Sequence, residues 1–586
     1  MHRSVILGLL FSLLAGAANA ACPGNPTTCG NPMQAQTSGS VMYAAAYGVK
    51  ADGTISDDVA MKAAVDACAA KGGKLLLPPG QIKLTGAATI TLSNCHIEGV
   101  GVPRPGYGAG SNKGTMFLLT SASVKPFLCQ SNWALSGMSF YWPVQDGTMS
   151  YPALISDDGT SQCGSVRINH INIVNAYKAI EQTSTLGWGD WHFTDVQMFA
   201  ANDLITLRST GDSIVFDDSV VIPGAWLAMG GDPTAVANAA RTQTMFHIKA
   251  GGSVNLSLNS FGGIGARYAF YVDNGAIMSE SNIDAGWDTV GTIVDTSAGG
   301  VWSTGIRISG ASATCSMIGA TWSSPQTGNF PCFNMGPNGE LALTNFQNQG
   351  SKGSFIVTSG SSITLQNSGN RGLGGALDGG DYHQIQVTGG SSGMLVQNSY
   401  FSGNANTTNN QQHHVHGIVT TGHTPNYLVL QGNTFVYHED DITTSFASSV
   451  TSISGNTTIS TAGASSFSIV GAGFGIGMNT WDRLPQATIL SGFGTGPAIQ
   501  TNTGDYRNFR LVIGTGGTSG NGSVKMPVES PGGYMCLATV NDINSFYTAS
   551  VASNSTDVAF FNYNRSTGGG APWNAGNVVT VQCQGL

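Results

Sequence analysis

Apolar residues along this chain fall mostly into short runs that alternate with polar ones and break at Gly, Ser, Thr, Asn and Asp. A period of two puts alternate side chains on opposite faces of an extended strand, so the pattern predicts many short strands joined by turns. One stretch departs from it. After Ser56 the apolar residues Met61, Ala64, Val65 and Cys68 follow the i, i+3, i+4, i+7 spacing of a helix that buries one stripe. Ser56 is the expected N-cap, Asp57 and Asp58 suit the positive first turn, and Gly72-Gly73 ends the element. Lys74 to Leu77 then reads as a strand and Pro78-Pro79-Gly80 as a turn.

The strand-like runs repeat. Setting VRINHINIVNAYKAI (166–180) on WHFTDVQMFAANDLI (191–205) superimposes Ile168 on Phe193, Ile171 on Val196, Val174 on Phe199, Ala176 on Ala201 and Ile180 on Ile205, an offset of 25. Phe193 recurs as Phe216 after 23 residues, and Leu256/Met278, Ser260/Asn282, Phe261/Ile283, Leu343/Leu365 and Asn345/Asn367 recur after 22. Such a period predicts a stacked solenoid: one coil cannot bury its apolar face alone, so successive coils pile up at about 4.8 Å and share a core. The LxxLxL spacing of leucine-rich repeats is absent. Coils are expected over 43–470, with inward Asn residues laddering at the turns. Periodicity fails over 471–499, an expected neck. Residues 500–586 hold the strand-like runs 509–513, 558–561 and 578–581, which predict a small antiparallel sandwich.

Composition narrows the class. Charged residues make up 9% of the chain and 81 of the 586 residues are glycine, where an average domain has about 25% charged residues and about 7% glycine. Coiled coils and helical solenoids are excluded. A formal net charge of -9 with no basic run argues against a nucleic-acid partner. The apolar stretch 5–17 follows Met1-His2-Arg3, is too short to span a bilayer and precedes Ala18-Asn19-Ala20. Residues 1–20 are therefore expected to be a signal peptide and 21–42 a linker, with the mature chain secreted, periplasmic or at the cell surface and without a membrane span. Ten cysteines in an exported chain predict disulfides. Pairing of neighbours gives Cys22–Cys29, Cys68–Cys95, Cys129–Cys163, Cys315–Cys332 and Cys536–Cys583.

Two segments carry a resemblance to known families. The stretch YGVKADGTISDDVAMKAAVDACAAKGGKLLLPPGQIKL (47–84) resembles the start of the pectate-lyase-like superfamily, in which such a helix caps a right-handed parallel β-helix. The segments NGSVKMPVESPGGYMCLATVND and FFNYNRSTGGGAPWNAGNVVTVQC resemble the terminal β-domain of phage tail-fibre and tailspike proteins. Together they imply an all-β fold, a right-handed parallel β-helix with a short N-terminal capping helix and a small C-terminal β-sandwich. They also imply an activity on polysaccharides, as in lyases, hydrolases, epimerases and phage depolymerases, and a homotrimer. No heptad run accompanies the last of these.

Fold alone names no reaction, so side chains must decide. Residues 181–218 put Glu181, Trp188, Asp190, Trp191 and His192 on one coil and Asp212, Asp217 and Asp218 on the next. Glycoside hydrolysis needs two carboxyl groups across the bond, and indole faces stack on sugar rings. Asp195 and Asp218 align with His170 and read as turn-ladder positions. Asp190 and Asp217 lie beside that ladder and, with Glu181, are the catalytic candidates. Trp188, Trp191, His192 and Asp212 are the substrate-binding candidates, with coil packing the competing reading for the two tryptophans. A second cluster, His414, His416, His438 and Glu439, has three imidazoles spaced for one patch and could hold a divalent metal; a polar surface row is its competing reading. Otherwise no cofactor is required.

The polygalacturonase pattern of NTD, DD, GHG and RIK is not reproduced. Phe216-Asp217-Asp218 and Gly305-Ile306-Arg307-Ile308 occur with no GHG between them. A lyase needs a cation to neutralise a uronate and a base for its α-proton; Lys249, Arg267, Arg307 and Arg371 are available without a recognisable arrangement. The leading expectation is a secreted, tailspike-like depolymerase that hydrolyses an extended polysaccharide. A polysaccharide lyase or epimerase and a non-catalytic glycan-binding adhesin are the alternatives.

Overall fold

A computed structural model of the 586-residue chain describes residues 40–103, 114–288 and 291–302 continuously. Between 306 and 585 it describes chiefly the strands and the turns beside them. Residues 1–20, expected to be a signal peptide, lie outside the described residues, as do Cys22, Cys29 and Cys315.

The chain is a right-handed parallel β-helix followed by an antiparallel sheet. At its start the helix Asp58–Lys71 buries Met61, Ala64, Val65 and Cys68 and ends on Gly72, which is left-handed at φ 60°. The N-cap is Asp57, one residue later than expected. Its carboxylate accepts the backbone N–H of Lys50 at 2.8 Å and of Ala51 at 3.3 Å, while Asp58 accepts those of Thr85 at 2.8 Å and Gly86 at 2.9 Å. The cap is thus tied to the first coils by its acids.

Counted over the described residues, three parallel sheets form the β-helix wall. The first runs from Val41–Tyr43 to Thr480–Trp481. The second stacks fourteen strands from Ile90–Leu92 to Ser466–Val470. The third has seven strands and splits from the first at Ile306–Ser309. Above that split one strand bends around two faces. Gly164–Ala176 and Gly189–Ala200 are such strands, and they turn at His170 (φ 52°) and Asp195 (φ 51°). The corner continues through Asp218, Ser260, Asn345, Asn367 and Asn398, all left-handed. Asn and Asp tolerate this conformation better than most residues. The ladder reading of Asp195 and Asp218 holds.

The expected register holds for Ile168/Phe193, Ile171/Val196, Ile180/Ile205, Phe193/Phe216 and Leu343/Leu365. It fails elsewhere. A bulge sets Ala176 opposite Ala200, Val254 rather than Leu256 faces Met278, Ser257 rather than Ser260 faces Asn282, Leu258 rather than Phe261 faces Ile283, and His416 faces Asp440. Coil length is also interrupted: Ile214 pairs with Leu256 because the helices Gly224–Ala228 and Pro233–Thr242 are inserted between their coils.

Inside the prism, aromatic rings stack from coil to coil, Phe193 on Phe216 at 4.2 Å and Phe246 on Phe270 at 5.1 Å, and within one coil Trp188 lies on Trp191 at 4.7 Å. Cys68–Cys95 joins the cap to the wall and Cys129–Cys163 joins neighbouring coils, with Cα–Cα distances of 5.5 and 5.6 Å. Cys332 and Cys583 are disulfide-bonded as well, and strand register sets Cys583 directly opposite Cys536.

Strands 474–476 and 480–481 still pair with the β-helix, inside the stretch expected to be a neck. From Thr488–Ser491 to Val578–Gly585, eight strands form one antiparallel sheet around Leu511, Val524, Phe560, Val579 and Val581. Among the described residues no helix is long and apolar enough to cross a membrane.

Candidate active site

The acids singled out from sequence do not converge. Asp190 is itself a turn-ladder residue: with Asn94, Asn132 and Ser165 it forms a second left-handed column, at φ 57°. Arg167 Nη2 holds its two carboxylate oxygens at 3.0 and 3.2 Å, and His192 Nε2 stands 3.4 Å away. Asp217 lies at the far end of the neighbouring strand, in register with Thr194, and accepts Asn259 Nδ2 at 2.6 Å. Four strand residues separate the two levels, about 13 Å, whereas paired glycosidase carboxyls stand at most about 9.5 Å apart. Asp190 and Asp217 are therefore not one acid–base pair. Asp212 is an exposed turn residue that accepts its neighbour Ser213's N–H. Trp188 and Trp191 are fully buried in the coil interior, where Trp191 also meets Trp133 edge-on at 5.6 Å. They offer no face to a sugar, so packing is their role.

Glu181 belongs elsewhere. It lies on the second sheet, and the outward column there runs in register through Ser156, Glu181, Thr206, His247, Tyr271, Asp295 and Asn334. The residues just before them, Ile155, Ile180, Ile205, Phe246, Phe270, Val294 and Phe333, point inward and are buried. Alternation along each strand thus turns one polar or aromatic side chain per coil away from the interior, one coil apart; Ser156, Thr206 and Asp295 are nevertheless buried there.

His247 is the centre of this column. Its Nδ1 faces Asp203 Oδ2 at 3.0 Å and its Nε2 faces Asp273 Oδ1 at 3.1 Å. Tyr271 meets the imidazole edge-on at 5.3 Å, and Tyr268 lies 5.1 Å from Tyr271. Arg267 covers Tyr268 with its guanidinium carbon 4.8 Å from the ring centre. Lys178 pairs with Glu181 at 2.5 Å. Asp295 is spent on structure, accepting Ser297 N at 2.9 Å, Ser297 Oγ at 2.6 Å and Asn334 Nδ2 at 3.2 Å.

The electrostatics follow from this geometry. Burial pulls the His247 imidazole down, but the carboxylates of Asp203 and Asp273 outweigh it and raise its pKa above the ordinary 6.5. Burial likewise pushes Asp203 up; His247, then Lys249 and Lys178, more than reverse this and leave it below 3.8. Burial, with Asp295 and Asp273 nearby, raises the Tyr271 phenol above 10.0. The charged form of the imidazole is thus favoured from its buried side by Asp203 and from its open side by Asp273, whose side chain is 34% exposed. A histidine in such a setting is suited to giving up a proton and taking it back. The two carboxylates face opposite ring nitrogens, so the three groups do not converge on one ion, and among the described residues no group of three or more metal-ligating side chains does.

Of the expected metal patch, His414, His438 and Glu439 lie outside the described residues. His416 has His383 and Asp440 as its strand neighbours.

The His247 site was missed in the sequence because the inserted helices stretch the coil from Asp203 to His247. A signal existed one coil on: TMFHIK (244–249) and YAFYVD (268–273) match at an offset of 24 and set His247 on Tyr271.

No family model matches the chain, and no curated protein matches it. Among solved structures it is similar to the A-module of a mannuronan C-5 epimerase of Azotobacter vinelandii, at 13% identity over 74% of this chain and 99% of that one, with a TM-score of 0.40. It is also similar to a tailspike protein variant of the E. coli bacteriophage HK620, at 10% identity over 92% of this chain and 91% of that one, with a TM-score of 0.47. Both are likenesses of fold alone.

Proposed function

We propose that this chain is a polysaccharide-cleaving enzyme that hydrolyses an extended glycan laid along the second sheet, by proton transfer at His247. The observation that supports the reading is the Asp203–His247–Asp273 row on the outer wall, flanked by Tyr268 and Tyr271. In this reading His247 protonates the departing glycosidic oxygen. Asp273, 3.1 Å from Nε2 and displaced from it as the glycan enters, orients the attacking water, takes its proton and steadies the positive charge that builds on the sugar. Asp203, buried behind the ring, is a positioning residue. The tyrosine rings supply faces for neighbouring sugars. Hydrolysis fits better than elimination because Lys178 is already committed to Glu181 and Arg267 to Tyr268. Elimination needs a cation free for the uronate. Lys249, near enough to Asp203 to lower it, is the feature that favours the second reading, a lyase or epimerase acting on a uronate. Export, and assembly as a homotrimer through the C-terminal region, belong to the same proposal.

A panel of neutral and acidic glycans incubated with the wild type, His247→Ala and Asp273→Asn tests it. New reducing ends that both variants abolish are expected, with Asp190→Asn and Asp217→Asn keeping most of the rate. Products absorbing in the ultraviolet would indicate an unsaturated uronate and hence the lyase. Binding with no shortening of any glycan would make the chain an adhesin, and full activity in His247→Ala would remove the site.

A further inference from the structure

The third sheet presents another outer face, and across three consecutive coils it carries no charge. Strands Ser362–Gln366, Gly393–Gln397 and Tyr427–Gln431 stack in register. Ile363, Leu365, Met394, Val396, Leu428 and Leu430 are buried. The alternate positions face outward in three rows: Ser362, Gly393 and Tyr427; Thr364, Leu395 and Val429; Gln366, Gln397 and Gln431.

Two features of this face are built rather than incidental. Tyr427 is 37% exposed, yet its ring lies back across the neighbouring strand at Gly393. A Cβ at Gly393 would fall inside the van der Waals envelope of that ring, so glycine is what lets the phenol lie against the sheet. On the other edge, Gln397 Nε2 donates to Gln431 Oε1 at 2.8 Å and Gln366 Nε2 to Gln397 Oε1 at 3.4 Å. Each of those two amides uses one N–H in the ladder and carries a second. Between ring and amides run the partly exposed Leu395 and Val429.

We propose that this face is a second, non-catalytic carbohydrate-binding surface that takes an uncharged stretch of glycan. A sugar ring has an apolar face that suits the Tyr427 ring and the Leu395–Val429 strip, and hydroxyls that suit carboxamides. An acidic glycan would find no cation on these three strands. The face lies on a different sheet from His247 and holds none of the groups assigned to proton transfer, so it would retain a chain without touching the bond being broken.

Affinity electrophoresis of the folded full chain, through native gels containing dextran, laminarin, galactomannan or polygalacturonate, tests this. Retardation is expected in at least one of the three neutral gels and not in polygalacturonate. Tyr427→Ala should raise the apparent dissociation constant about tenfold. Tyr427→Phe should stay within about twofold of the wild type, which controls for folding, because the ring face is kept. Gly393→Ala, which displaces the ring while keeping the phenol, should weaken binding as Tyr427→Ala does. His247→Ala should be retarded like the wild type even where it no longer cleaves. Retardation in no neutral gel, or retardation that Tyr427→Ala leaves unchanged, overturns the proposal. Retardation lost in His247→Ala but not in Tyr427→Ala assigns the binding to the second sheet, overturning this proposal and leaving the catalytic one standing.

Discussion

Asp203 and His247 make a claim about stability that can be measured apart from any substrate. Asp203 is buried, with His247 Nδ1 at 3.0 Å and Thr206 Oγ1 at 3.4 Å, and Lys249 and Lys178 act on it from further away. Removing one partner of a fully buried ion pair costs about 3–5 kcal/mol. Here the cost is smaller, because His247 keeps Asp273 and Asp203 keeps two lysines. About 2 kcal/mol is expected for His247→Ala or for Asp203→Asn. The double variant loses the shared interaction only once, so a coupling of about 1–2 kcal/mol should remain in the cycle. Its pH dependence has a definite sign. His247 is raised above 6.5, so its share is whole below that value and lost as pH rises through the raised one. Asp203 is lowered below 3.8, so its share is present above that value and lost as pH falls through the depressed one. The coupling should be full near pH ~5.5 and diminish at higher pH, as His247 loses its proton. Urea unfolding of the four proteins, followed by indole fluorescence, reads it, since Trp133, Trp188, Trp191 and Trp226 are buried in nearby coils. A coupling near zero at the lower pH, or undiminished at the higher, would show that Asp203 does not hold the imidazolium.

Four further outcomes follow from the same structure. Trp191→Ala should cost about 3–5 kcal/mol in urea unfolding through the cavity left beside Trp188 and Trp133, yet leave the rate per folded molecule unchanged. Replacing Cys68 and Cys95 with alanine should destabilise the cap by about 3–4 kcal/mol, since the bond closes a separation of 27 residues; calorimetry under oxidising conditions checks this. In Asp203→Asn the alkaline limb of the rate–pH profile should move to lower pH, because one of the two carboxylates that raise His247 is gone. The Asp58 carboxyl is pushed up by burial but held below 3.8 by bonds from Ser56, Thr85 and Gly86. Its contribution to the cap is therefore present above that value and lost as pH falls through the depressed one. Proteolysis of the first coils should accelerate in acid in the wild type and show less pH dependence in Asp58→Asn.

Periodicity made the architecture legible because a solenoid repeats its core requirement in every coil. Ile168, Phe193 and Phe216 face the same interior, so their spacing reports stacking without knowledge of any turn. Even an error of two residues, as in setting Leu256 rather than Val254 on Met278, keeps an apolar side chain on the inner face. Sites are less forgiving. A catalytic row joins outward residues from several coils, and an inserted segment shifts every later register by its own length. The helices over 224–242 did so between Asp203 and His247, hiding a row in which an imidazole meets two acids. Glu181 was singled out from sequence, but without that register it was grouped with Asp190 and Asp217, which lie on another face. In the opposite direction, the tryptophans drew attention for their size, and size is also what a stacked interior selects. Aromatic residues on the inner face of a β-helix therefore carry little functional information, and a polar residue displaced by an inserted loop carries more than its position in the sequence suggests.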